Sequence, residues 1–160
     1  MKKCFAIVLP VLLFLSLTAC GNQTPQTPVL TAAAGDVYTT YPQVHITRAQ
    51  PTVEDGKITL TLQIQNDSEY VVTYGEAFTV LRQENDEWVK CTLPENHGFH
   101  EIAYLLEAGK NTEKAYCVTV YEGVDRPGTY RLKTDVYIDD GQNPNQNTRG
   151  QLWADFTVTQ

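Results

Sequence analysis

Two histidines and a glutamate stand close together at His97-Gly98-Phe99-His100-Glu101. Imidazole nitrogens and a carboxylate are common metal ligands. Their spacing matches no strong metal signature, and the chain's other histidine, His45, lies far away in sequence. Solvated side chains on a glycine-containing loop are the better reading, so no metal and no other cofactor is assigned. Asp139-Asp140-Gly141-Gln142-Asn143 is rich in oxygen ligands. It lacks the alternating acids of a calcium loop. Its composition suits a long hairpin connection, and Asp139, Asp140, Asn143 and Asn145 make a candidate binding loop. Beyond residue 19 the one serine is Ser68, in turn-like sequence without the glycines of a nucleophile elbow. Acids are scattered over turns and polar faces, and a small domain leaves little room for a deep cleft. No catalytic residue is assigned, and the protein is read as non-enzymatic.

Of four cysteines, Cys4 and Cys20 lie near the N-terminus and Cys91 and Cys117 in the body of the chain. Residues 1–19 hold two lysines, no acid and an apolar run, the pattern of a secretory signal peptide. The run is short for a membrane-spanning helix. Leu17-Thr18-Ala19-Cys20 resembles the lipobox of bacterial lipoproteins. That resemblance implies cleavage between Ala19 and Cys20, with a diacylglycerol on Cys20. It places the protein at the cell membrane, lipid-anchored on the extracytoplasmic face. Two acyl chains suffice for stable attachment where one does not. In such an oxidising compartment Cys91 and Cys117 are an even pair. A bridge between them would contribute roughly 3–4 kcal/mol; two unpaired thiols are the alternative.

The elements that position these residues read as strands. Residues 20–35, rich in Thr, Pro, Ala and Gly, suit a tether. The domain is expected over 36–160. Ile58, Leu60, Leu62 and Ile64 alternate with Thr59, Thr61 and Gln63, the clearest strand pattern in the chain. Further strands are expected at 44–47, 71–74, 78–82, 88–92, 116–121, 130–138 and 152–158. Residues 99–106 fit either a strand or a short helix. Seven to eight strands without a long helix indicate an all-β, antiparallel sandwich.

Asp125-x-x-Gly128-x-Tyr130 resembles the tyrosine corner of immunoglobulin-like domains. Leu132 stands where such domains often place a core cysteine. The order Leu60-Thr61-Leu62, Asn66, Tyr74-Gly75-x-x-Phe78, Trp88, Ala108-Gly109 and Pro127-Gly128-Thr129-Tyr130-Arg131-Leu132 resembles a family of bacterial immunoglobulin-like domains common in lipoproteins of Gram-positive anaerobes. The resemblance implies an immunoglobulin-like β-sandwich and a place at the envelope. It brings no catalytic role.

With 12 basic and 19 acidic residues the formal charge is −7, and cleavage after residue 19 takes it to −9. Such a chain does not suit nucleic acid, which requires cations to displace phosphate counterions. The expected role is a binding or structural module with an envelope protein or glycan as partner. One alternative is a carbohydrate-binding module using exposed Tyr and Trp, with Tyr137 and Trp153 on one outer face. The other is a metal-dependent sensor or small hydrolase.

Overall fold

The computed structural model describes residues 29–139 and 148–160. Its elements are the strands β1 (Thr31–Thr39), β2 (Val44–Glu54), β3 (Lys57–Asn66), β4 (Val72–Glu84), β5 (Glu87–Lys90), β6 (Tyr104–Leu106), β7 (Asn111–Cys117), β8 (Gly128–Ile138) and β9 (Thr148–Thr159), with a short 3₁₀ turn at Val118–Val120. One sheet runs β1-β9-β8-β4-β5, with β6 also paired to β4, and the other runs β2-β3-β7. Every pairing is antiparallel. The architecture is an immunoglobulin-like β-sandwich.

Period-two sequence makes the core. Ile58, Leu60, Leu62 and Ile64 are wholly buried on one face of β3. Tyr130, Leu132, Val136 and Ile138 of β8 face them, with Leu152, Ala154, Phe156 and Val158 of β9 alongside. Burying each large aliphatic side chain contributes about 1.5–3 kcal/mol, which outweighs the weak intrinsic preferences of single strand residues. Thr134 interrupts the β8 stripe yet is buried, because its hydroxyl donates to the carbonyl of Ala77 at 3.2 Å. Asp55-Gly56 and Asn85-Asp86 close the β2–β3 and β4–β5 hairpins, all four with positive φ. Two-residue turns of that hand match the twist of paired strands.

Four expectations change. Among the described residues nine strands form rather than the expected seven to eight. The expected tether gives way to β1 from Thr31, because Thr31 to Ala34 pair with Thr159 to Phe156. The two segments at 71–74 and 78–82 are one strand, β4, whose register shifts between Tyr74 and Phe78. The strand expected through 116–121 stops at Cys117. Val118, Tyr121 and Val124 are buried at a spacing of three, not two, and the Thr119 hydroxyl accepts the Ile58 N–H in place of a strand partner. The segment 99–106 resolves as extended chain ending in β6.

β9 is not an edge, since β1 covers it. Thr31 and Gly128 both lie opposite the last residues of β9, Thr159 and Val158. β1 therefore enters at the same end of the sandwich as the loop 121–127. Ile138 and Thr148 pair at the opposite end.

Candidate functional site

Three places carry the polar and aromatic side chains singled out by sequence: the β1-entry end, the far end, and the outer face of the larger sheet.

At the entry end, the Tyr130 hydroxyl lies 2.8 Å from both the Gly123 and Arg126 carbonyls, which share its proton. Its ring stacks on Phe156 at 5.4 Å and is wholly buried. Burial pushes the phenol pKa above its usual value. The Tyr121 hydroxyl donates to the Phe78 carbonyl, fastening the same loop to β4. The bond pattern of a tyrosine corner is thus in place.

The expected bridge between Cys91 and Cys117 is not formed; both are free thiols. Strand alternation is the reason. Tyr116 points into the core, so Cys117 is turned to the other face of β7, where its Sγ meets the Thr119 hydroxyl at 3.6 Å. Cys91 follows β5 in the opposite sheet and packs against the core from that side. Its burial raises the thiol pKa, which disfavours the reactive thiolate.

His97 packs edge-on against Phe99 at 5.4 Å, while His100 and Glu101 are exposed. His45 instead approaches Asp67 at 3.8 Å. Among the described residues no group of three or more His, Cys, Asp or Glu side chains is arranged to hold a metal ion.

At the far end, Asp139 donates its N–H to the Val71 carbonyl at 3.4 Å. Asp140, Asn143 and Asn145 lie outside the described residues, as do Ala19 and Cys20. Where β9 begins, Arg149 and Gln151 both bind Asp135, at 2.7 and 3.0 Å. Burial pushes the Asp135 carboxyl pKa up, but the bonds from Arg149 and Gln151 bring it below its usual value. Gly150 admits no side chain, since a Cβ there would stand 2.9 Å from Val136 Cγ2.

On the outer face, Arg131 is held by both oxygens of Asp155, at 2.6 and 2.8 Å. Its guanidinium lies 4.1 Å from the Trp88 ring and 4.9 Å from that of Tyr38. The bond to Asp155 raises its pKa further. The Lys133 ammonium lies 5.3 Å from the Trp153 ring. Tyr137 and Trp153 do not stand exposed together. Trp153 is half-buried opposite Lys133, and Tyr137 stands four residues further along β8, 40% exposed. Cations cover the Tyr38, Trp88 and Trp153 rings, so these form cross-strand stabilising contacts rather than an open planar row.

Sequence reasoning missed two features. Asn66, expected only to end a strand, is wholly buried and joins three backbone segments. Its amide donates to the carbonyls of Tyr70, Leu106 and Glu107 at 2.8, 3.1 and 3.2 Å. Its carbonyl accepts from the Ser68 N–H and hydroxyl at 3.0 and 2.6 Å. The second is an exposed apolar group formed by Val71, Ile102, Leu105 and Tyr137. Its one sequence signal was the stretch 99–106, which fits a strand and a short helix alike and so assigns its apolar residues to no single face.

No curated protein matches the chain. The sequence model of the bacterial Ig-like domain family matches residues 40–156, from the turn after β1 to near the end of β9. Topology, core and family match agree: the chain belongs to the bacterial Ig-like domain family.

Proposed function

We propose that the protein is a lipid-anchored envelope protein that holds a non-catalytic binding module away from the membrane. Domains of this family are generally non-catalytic. The observation that carries the reading is polarity of the fold. β1 starts at Thr31 beside Thr159, and Ile138 and Thr148 pair at the opposite end. An anchor at Cys20 precedes Thr31 by few residues, whose fully extended reach is at most about 40 Å. Such a chain ties the entry end toward the lipid and turns the far end outward. The acidic sequence supports the lipid as the source of attachment, because an anionic membrane surface repels it.

The test is fractionation of cells expressing the full chain or Cys20→Ala. The parent is expected in the membrane pellet, with the mature N-terminus at residue 20 carrying acyl mass. Cys20→Ala is expected in the medium or as an uncleaved precursor. A Cys20→Ala protein cleaved after Ala19 yet still membrane-bound without acyl mass overturns the reading.

A further inference from the structure

Exposed sheet edges invite pairing with other chains, and proteins guard them with charge, proline, bulges or cover. Four edges here are guarded. β1 lies beside β2 and shifts register between Ala34 and Val37. β2 carries Pro51 and shifts register between Ile46 and Arg48. β5 bears the charged residues Glu87 and Lys90. β7 bears Glu113 and Lys114, tied to Arg48 and Glu76.

The fifth edge is different. β6 pairs with β4 over three residues, Tyr104 to Leu106 against Tyr74 to Val72. The chain ahead of it continues along β4, with the Ile102 carbonyl 3.4 Å from where a Cβ on Gly75 would lie. Residues 101–105 contain no proline and a single charge, Glu101. Ile102 is 44% exposed and Leu105 69%. Across the outer face, Leu105, Thr73 and Tyr137 fall in one row. Ile102, Ala103, Gly75 and Tyr137 line a shallow apolar hollow of about 180 Å³ beside that row.

We infer that the edge at residues 101–105 takes an extended segment of another protein as an added strand, with apolar side chains beside Ile102 and Leu105 and basic residues at its flanks. Main-chain pairing supplies affinity in this mode and alternate side chains supply selectivity. Charge selects the occupant. Glu69, Glu101 and Glu107 are exposed at this end of the sandwich, and none has an ion pair among the described residues. A second copy of the chain would bring those carboxylates together, whereas a basic-flanked segment complements them. The inference rests on the binding-module reading but not on the lipid at Cys20.

The experiment titrates the ¹⁵N-labelled full chain in detergent with the peptide Lys-Val-Thr-Val-Thr-Val-Lys. Amide shifts are expected at Ile102 to Leu105 and, across the pairing, at Thr73. Leu105→Asp is expected to weaken binding at least ten-fold while the Leu132 amide stays unshifted, since Leu105 is exposed. A peptide with Glu at both ends is expected to bind several-fold more weakly, with the gap narrowing as salt rises. Absence of shifts at 101–105, shifts at Asn111 to Cys117 instead, or equal binding of the two peptides overturns the inference. So do shifts at Tyr137 produced by an N-acetylglucosamine trimer without any from the peptide, which would make the surface a glycan site. A failed titration leaves the Cys20 fractionation result standing, and the reverse holds too.

Discussion

Buried polar side chains fasten both ends of the sandwich, and Tyr130 at one end and Asn66 at the other differ in reach. At the β1-entry end, Tyr130 bonds carbonyls four and seven residues before it. At the far end, Asn66 bonds carbonyls forty and forty-one residues after it, and satisfies Ser68 as well. The tyrosine stiffens one loop. The asparagine joins the end of β3, the 67–71 turn and the end of β6. The exposed edge at 101–105 therefore hangs from a long-range polar hub, while at the entry end Tyr130 bonds within its own turn and Tyr121 ties that turn to β4.

The largest effect expected from breaking this contrast is at Asn66. Asn66→Ala strands buried carbonyls and the Ser68 donors, each costing about 1–3 kcal/mol without strict additivity. A loss of about 3 kcal/mol in urea unfolding is expected, with faster hydrogen exchange at residues 104–107. A loss under about 1 kcal/mol, or unchanged exchange there, breaks the claim that one residue holds the far end. Tyr130→Phe keeps the ring against Phe156 and removes one proton donor, so about 1 kcal/mol is expected. Faster exchange should be confined to 123–126. Should its cost exceed that of Asn66→Ala, the ranking of the two ends reverses.

The smallest effect sharpens the contrast by pH. Glu76 accepts from the Tyr104 hydroxyl at 2.8 Å and from Lys114 at 3.5 Å, linking β4, β6 and β7. The Tyr104 bond lowers its carboxyl pKa, and Lys114 adds to this against a smaller rise from burial. A carboxyl lowered in the folded state stabilises fully above the unfolded value of about 4.3, and that stabilisation fades as pH falls through the folded value. The stability difference between the parent and Glu76→Gln should be constant above about pH 5.5 and close below about pH 4. Thermal melts across that range check it. A difference that widens with acid contradicts the sign.

What was legible in the sequence follows the same division by reach. The β3, β8 and β9 stripes were readable because burial imposes a two-residue period on adjacent positions. The Tyr130 turn was readable because its partners are close in sequence. The hub at Asn66 was not, since an asparagine after a strand reads equally well as local turn chemistry. The disulfide expectation failed for a related reason. Cysteine count says nothing about which face of a strand each thiol occupies, and Tyr116 decides that for Cys117. Residues 118–124 misled because alternating valines look like a strand until the spacing of three shows which side chains are buried.

The pairing of Thr31 with Thr159 also sets how the domain bears load. A pull between a tether ahead of Thr31 and a partner on β6 at the other end runs along β1 rather than across it. β1 then slides lengthwise against β9, and its backbone bonds resist together instead of parting one by one from an end. On that geometry the first strand works as a latch, strongest in the direction in which the proposed anchor at Cys20 would draw it.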